Sequence, residues 1–363
     1  MNGDNEALLD AITAILPPLL HAMDGLIFIG RYLQPSRVAE MVEQIDSPDK
    51  ALREPLATFK DAAWPERLVD FKSRIEDASE AMFEAYDGLR GAQSSEDGRA
   101  QARRAARRLA RASEAIYPIA SMLPPVSQFF LEDSVRDDAA LEARLMAGDS
   151  DNLGVLHANN DRGMRGGFSV YVPETYDPTT AAPLIVALHG GFGHGRLFLW
   201  SWICEARSRG AILLSPTSLG DTWSLMEPEV DRASLDHMLT QIGEKWRIDP
   251  ERMLLTGMSD GGTFAYLYGL LDDSPFTHLA PMSSGFHPLL LEGVSQNRLA
   301  DLPVYIVHGA QDWMFAPGAA REIHQVLSER GAKAVYRELP DLGHTHPRDE
   351  NGPIMDWFLN DKP

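Results

Sequence analysis

The stretch MLLTGMSDGGTFAYL, residues 253–267, constrains this chain more than any other. A short apolar run enters Gly257, a serine stands two residues on, and glycines at 261 and 262 open a second apolar and aromatic run. The pattern predicts a strand, a very tight turn and a helix. Such a turn forces its tip residue into a backbone geometry that costs about 1–3 kcal/mol. It also draws strand and helix so close that a side chain two residues to either side would clash, which glycine avoids. Ser259 sits at the tip, its hydroxyl clear of the backbone. A phosphate-binding loop would need G-x-x-x-x-G-K-[ST], and no lysine is present here. A dinucleotide fingerprint would need G-x-G-x-x-G, which neither this turn nor HGGFGHG supplies.

The surroundings suit that turn. From about residue 151, FSVYVPE, PLIVALHG, AILLSPTS, RMLLTG, HLAPMSSG, PVYIVHG and AVYRELP read as short strands. Helical stretches at 229–247, 262–272 and 316–330 separate several of them. Apolar strands alternating with helices predict an α/β domain with a mostly parallel sheet covered on both faces. Functional groups in such sheets gather beyond the carboxyl ends of the strands.

A serine hydroxyl is a poor nucleophile at neutral pH; it needs a base, and the base needs an orienting acid. In sheets with a serine elbow the chain order is serine, acid, histidine. VYIVHGAQDWM ends a strand and supplies Asp312; ELPDLGHTHP follows the last strand and supplies His344. His346 is the nearest rival base. His344 is preferred because Gly343 precedes it on the turn, whereas Pro347 stiffens the stretch after His346. The glycines of LHGGFGHG, residues 188–195, would let backbone N–H groups approach a reacting carbonyl. Gly191 and Asp260 are the expected donors, with Phe192 the alternative to Gly191. The Asp260 carboxylate is read as a helix N-terminal acid that complements the helix dipole. Among Trp200, Trp202, Trp223, Trp313, Phe192 and Phe286, we expect Phe192, Trp223 and Trp313 to line an apolar substrate pocket. His189, His194, His344 and His346 lack the spacing of a zinc site, so neither metal nor other cofactor is expected.

Residues 1–150 have a different rhythm. SPDKALREPL places Ser47 as an N-cap before Pro48, and WPERLVDFKSRIEDASEAMFEAY starts in the same way at Pro65. Leu68, Phe71, Ile75, Ala78, Met82 and Tyr86 share one helical face. Ser94 and Asp97 resemble a capping box ahead of a single helix, GRAQARRAARRLARASEAI. Its arginines, Arg103, Arg104, Arg107, Arg108 and Arg111, are read as a solvated or acid-paired face. AITAILPPLLHAMDGLIFIGRYL is interrupted by Pro17, Pro18, His21, Asp24 and Gly25, and is read as two buried helices rather than a membrane span. The 363-residue chain therefore divides into a helical domain, 1–150, and an α/β domain, 151–363. The helical domain is expected to be a cap narrowing the way to the site or an oligomerisation module, a homodimer being the simplest case. A net charge of −20 argues against nucleic-acid partners and anionic membranes. The single cysteine, Cys204, and an acidic N-terminus fit the cytoplasm.

With LHGGFG, IDPERMLLTGMSDGG, VHGAQDWM and LGHTHPRDENGPIMDWF in place, residues from about 155 to 360 resemble the α/β-hydrolase superfamily. More narrowly, they resemble its phospholipase/carboxylesterase and dienelactone-hydrolase-like serine esterases. The resemblance implies the α/β-hydrolase fold and ester hydrolysis through an acyl-enzyme, with Ser259, Asp312 and His344 at the matching positions. The implied substrate is a small-molecule ester of a small or aromatic acid. A peptidase of the same fold and an inactive hydrolase-fold binding protein are the alternatives. The first 150 residues lie outside the resemblance.

Overall fold

A computed structural model describes residues 3–33, 37–92, 97–148, 151–285 and 291–360. It forms two compact units, Met1–Phe130 and Leu131–Pro363.

The first unit is helical: α1 Gly3–Arg31, α2 Val38–Gln44, α3 Asp49–Asp61, α4 Val69–Ala92, α5 Gly98–Ala106, α6 Arg108–Ile116 and α7 Pro124–Phe129. The expected two helices at the start are one, and α1 runs unbroken through Pro17 and Pro18. An interior proline costs about 3 kcal/mol because it removes an N–H and crowds the carbonyl four residues back. Here the affected carbonyls belong to Thr13 and Ala14, which like Pro17 are exposed. The opposite face is held by buried Ile15, Leu19, Ala22, Met23, Leu26 and Ile29. Part of this helix, Glu6–Arg31, is long and apolar enough to cross a membrane by length and composition alone, and 39% of its apolar window is buried within the protein.

On α4, Phe71, Ile75, Ala78, Met82 and Tyr86 are buried as the spacing predicts, while Leu68 is half-buried on a preceding 3-10 turn. The Tyr86 hydroxyl donates to the Ala22 carbonyl at 2.8 Å. Ser47 does not cap α3 with its side chain. The helix begins at Asp49 after Pro48, and Ser47 lies at φ +46° with its carbonyl accepting from Lys50 N–H. The expected helix over 98–116 breaks at Arg107 into α5 and α6. Its arginines are acid-paired where pairs form: Arg104 with Asp97 at 3.5 Å, and Arg108 and Arg111 with Glu84 at 2.9 and 3.2 Å. Ser94 lies outside the described residues.

In the second unit α8, Ala139–Ala147, precedes one sheet of eight strands. They are β1 Gly154–Ala158, β2 Phe168–Val172, β3 Ala182–Leu188, β4 Ile212–Pro216, β5 Ile248–Met258, β6 His278–Met282, β7 Pro303–Gly309 and β8 Lys333–Leu339. Their order across the sheet is β1-β2-β4-β3-β5-β6-β7-β8. β2 runs antiparallel to β1 and β4, and all other pairs are parallel. Helices α9 Gly195–Phe198, α10 Ile203–Arg209, α11 Glu229–Lys245, α12 Asp260–Gly269, α13 Gln296–Leu299, α14 Pro317–Glu329 and α15 Asn351–Asn360 complete the unit. Val186, Leu214, Leu255, Leu279 and Ile306 of the sheet are buried in one core with Leu235 of α11, Phe264 of α12 and Leu327 of α14. The inner strands β3, β4, β6 and β7 carry buried runs rather than alternation because both faces are covered, whereas the edge strand β8 alternates exposed and half-buried residues.

The boundary falls at Phe130/Leu131, ahead of the change of rhythm near residue 150. The reason is local. Leu131, Leu141 and Leu145 form a small buried cluster, and Glu132 makes a two-oxygen ion pair with Arg209 of α10, 2.9 Å at each contact. These helical residues belong by contact to the α/β unit although their pattern continues that of the helical one.

Candidate active site

β5 ends at Met258 and α12 begins at Asp260, so a single residue, Ser259, makes the turn. Its φ of +58° and ψ of −122° are the strained geometry that the glycine pattern predicts. A Cβ at Gly257 would lie 2.5 Å from the carbonyl carbon of Gly261, which closes the turn on itself. A Cβ at Gly261 would instead lie 2.4 Å from the Leu188 carbonyl oxygen, at the end of the neighbouring strand β3. The second glycine is therefore required by the adjacent strand as much as by the turn. Ser259 is 6% exposed, and its N–H donates to Met282 of β6 at 2.9 Å.

Asp312 follows β7 and His344 follows β8. The two loops are tied by backbone bonds from Ala310 to Leu339 and from Gln311 to Leu342, at 2.8 and 3.0 Å. Gly309 permits this approach, since a Cβ there would lie 2.3 Å from the Leu342 carbonyl oxygen. The structure brings the three expected residues together. His344 Nε2 lies 3.0 Å from Ser259 Oγ, and His344 Nδ1 lies 2.9 Å from Asp312 Oδ2. All three are buried. The other Asp312 oxygen, Oδ1, accepts from the N–H groups of Met314 and Phe315 at 2.8 and 2.9 Å. Burial would raise the Asp312 carboxyl, but the bond to His344 and those from Phe315 and Met314 outweigh it and hold the group below the usual carboxylate range. An ionised Asp312 accepting from Nδ1–H leaves Nε2 as the lone-pair nitrogen that faces the serine hydroxyl.

His346 is elsewhere. Its ring packs against Phe198 and Trp202, with centroids 5.3 and 6.1 Å away, and burial pushes it down to about 3. His189 bonds Gly190 O and Ser218 N, and His194 bonds Met164 O and Arg196 N, so each of these histidines is occupied by backbone.

Gly190 to Gly193 form a tight turn beside the serine, closed by Gly193 N–H on Gly190 O at 2.9 Å. A Cβ at Gly190 would come within 3.3 Å of Ser259 Cβ. The Phe192 N–H is spent on the Asp221 carbonyl at 2.8 Å, which removes the alternative donor. Among the described residues, no acceptor takes the N–H of Gly191 or of Asp260. The Asp260 carboxylate turns aside to Thr222, whose hydroxyl donates to Oδ2 at 2.6 Å.

The aromatic residues separate. Phe192 is 73% exposed at φ +55° on this turn, and Trp313 is half exposed against Gly343 with its ring edge-on to His344. Trp223, expected in the pocket, is buried. It stacks on Phe264, and its indole N–H donates to the His189 carbonyl at 2.7 Å, so it supports the turn from beneath. Trp200 and Trp202 are core residues, and Phe286 lies outside the described residues. Sequence reasoning passed over Phe315, whose ring packs against His344 at 5.4 Å, and His308, whose Nε2 lies 2.9 Å from Phe315 O and 3.6 Å from Asp312 Oδ2. It also passed over Arg165, although DRGMRGG carried the signal of an unassigned basic, glycine-rich loop.

No protein-family profile matches this chain, and no curated protein does. Solved structures similar to it include a thermostable esterase, with 18% identity and a TM-score of 0.47, covering 59% of this chain and 64% of that one. A second is FphF, a fluorophosphonate-binding serine hydrolase of Staphylococcus aureus, with 16% identity and a TM-score of 0.46 over 57% of this chain and 98% of that one. A third is the S-formylglutathione hydrolase FrmB of Staphylococcus aureus, with 16% identity and a TM-score of 0.45 over 57% and 95%. The fold assignment itself rests on the sheet. An eight-stranded order with β2 reversed, a serine elbow between β5 and α12, and an acid and a histidine after β7 and β8 are together the α/β-hydrolase fold.

Proposed function

We propose that this protein is a serine esterase that hydrolyses small or aromatic acyl esters through an acyl-enzyme. The observation that carries the reading is the relay from Ser259 through His344 to Asp312, at 3.0 and 2.9 Å, set on a strained turn. His344 takes the serine proton as Oγ attacks the ester carbonyl. The carbonyl oxygen becomes an oxyanion that the N–H groups of Gly191 and Asp260 receive. In a studied enzyme, one such donor is worth roughly 2.7–4 kcal/mol of transition-state stabilisation. His344 then protonates the leaving alcohol, and water repeats the sequence on the acyl-enzyme. Asp312 fixes the imidazole tautomer and stabilises the imidazolium. Phe192 and Trp313, the exposed rings on the loops of Gly191 and Asp312, support an apolar or aromatic acyl group.

A fluorophosphonate probe and a panel of p-nitrophenyl esters with matched amides test this. The expected outcome is covalent labelling at Ser259, turnover of short-chain and aromatic esters, and little turnover of amides. Ser259→Ala should lose both labelling and turnover while keeping its circular-dichroism spectrum. Ester turnover that survives in purified Ser259→Ala overturns the assignment. Faster amide than ester turnover would make the protein a peptidase, and no labelling of the wild type would make it an inactive scaffold.

A further inference from the structure

We propose that Arg165 is a positioning residue that holds the Gly191 N–H in place as an oxyanion donor. The inference rests on the esterase reading above. Arg165 lies in the loop between β1 and β2, far in sequence from the elbow. Its guanidinium grips two other loops at once. Nη1 donates to Gly193 O at 2.7 Å, closing the outer end of the Gly190–Gly193 turn. Nε donates to Ser218 O at 3.1 Å, and Nη2 donates to Ser218 Oγ and Gly220 O in the loop after β4.

That turn needs an outside hold. Phe192 occupies its third position at φ +55°, a left-handed conformation that is strained for a residue other than glycine. The hold comes from the loop after β4, where Asp221 O accepts the Phe192 N–H at 2.8 Å and Ser218 N–H reaches His189 Nε2 at 3.2 Å. Buried Asp231 pins the same loop through Leu219 N–H and Ser224 N–H, at 2.9 and 2.7 Å. Arg165 joins the two loops, and Gly191 lies in the same four-residue turn as the Gly193 carbonyl that it holds. Only a planar fork of donors reaches three carbonyls and a hydroxyl in this way; a lysine offers one point charge on a flexible stem.

The measurement is steady-state hydrolysis of p-nitrophenyl acetate by wild type, Arg165→Lys and Arg165→Met, with melting temperatures recorded beside it. A misplaced reacting group or a lost oxyanion donor acts on the chemical step. We expect kcat to fall roughly 10–100-fold in both variants with KM within about 3-fold of wild type. Arg165→Lys retains the charge and the aliphatic stem, so it keeps the test decisive if Arg165→Met does not fold. A lowered melting temperature with unchanged kcat in Arg165→Lys would reduce Arg165 to a structural residue and overturn the proposal. A loss confined to KM would overturn it too, by assigning Arg165 to ground-state binding. Wild-type protein without Ser259-dependent turnover would sink the esterase reading itself, which is a different result from an active wild type matched by both variants.

Discussion

Two histidines two residues apart have opposite assignments, and only their surroundings separate them. His344 spans a carboxylate and a hydroxyl, whereas His346 is folded into an aromatic niche. His344→Ala should therefore lose at least about 10³-fold in kcat, as removal of a triad member does elsewhere. His346→Phe should keep the wild-type pH–rate profile, because a group held at about 3 is already neutral where the enzyme works. Its effect should appear in stability. His346 has a folded value of about 3 against an ordinary 6.5, so its contribution is complete above 6.5 and is lost as pH falls toward 3. Melting curves over that range should show a shallower acid decline in His346→Phe than in wild type; equal slopes would refute this. Ser259 and His344 were legible in the sequence because neighbouring glycines marked them, and Asp312 because it follows a strand end in the expected chain order. Arg165 and Thr222 were not assigned, since their partners lie far off in sequence: three carbonyls and a hydroxyl for Arg165, and the Asp260 carboxylate at the start of α12 for Thr222. Trp223 was misplaced because an aromatic residue near a strand end reads the same whether it faces a pocket or the core.

Among the elements, α10 and α15 carry an unusual interior acid. Glu205 on α10 is buried, and burial raises its carboxyl to about 7 despite Arg348 nearby. The Asn351 amide of α15 reaches it at 3.4 Å. Unfolded, the group ionises near 4.5; folded, it keeps its proton to about 7. Its contribution is thus complete below 4.5 and is lost as pH rises through 7, opposite in sign to His346. Glu205→Gln should raise the melting temperature at pH 8 by on the order of 5 °C and lose most of that gain by pH 5. A gain independent of pH would contradict the assignment. At the elbow, Gly261→Ala should destabilise by about 1–3 kcal/mol and slow fluorophosphonate labelling of Ser259, because the new Cβ meets the end of β3. Unchanged labelling and melting would show that the strand yields. The parallel strands and their main helices were readable from apolar runs and period. β1 was not, since its side chains are mostly half-buried and lack both alternation and a continuous apolar run. The break at Arg107 carries no proline or glycine to announce it.

For the molecule as a whole, the contact boundary makes a sharp prediction. A chain beginning at Leu131 should fold and be labelled at Ser259, whereas one beginning at Asp151 loses the Leu131–Leu141–Leu145 cluster and the Glu132–Arg209 pair. The shorter chain should melt several degrees lower, consistent with about 2 kcal/mol or more of lost apolar burial. Equal melting would place the boundary at residue 150 after all. Comparing the ester profile and oligomeric state of the Leu131 chain with those of the full chain assigns a role to the helical unit: a changed profile marks a cap, and a dimer turned monomer marks an association module. The division into a helical part and an α/β part was legible from rhythm, but its position was not, because α8 continues the helical pattern while packing with the sheet unit.

The spread of the site along the chain has a consequence during synthesis on the ribosome. The turn carrying Gly191 emerges first, then Ser259, then Asp312, and the proposed base His344 last, only after β8 has been made. A nascent or prematurely released chain can thus hold a nucleophile and an acid, yet it has no group to take the serine proton. Under the proposed mechanism hydrolysis should begin only when nearly the whole α/β unit has been translated, so in a cell-free translation reaction the onset of ester turnover should time the arrival of the carboxyl-terminal segment.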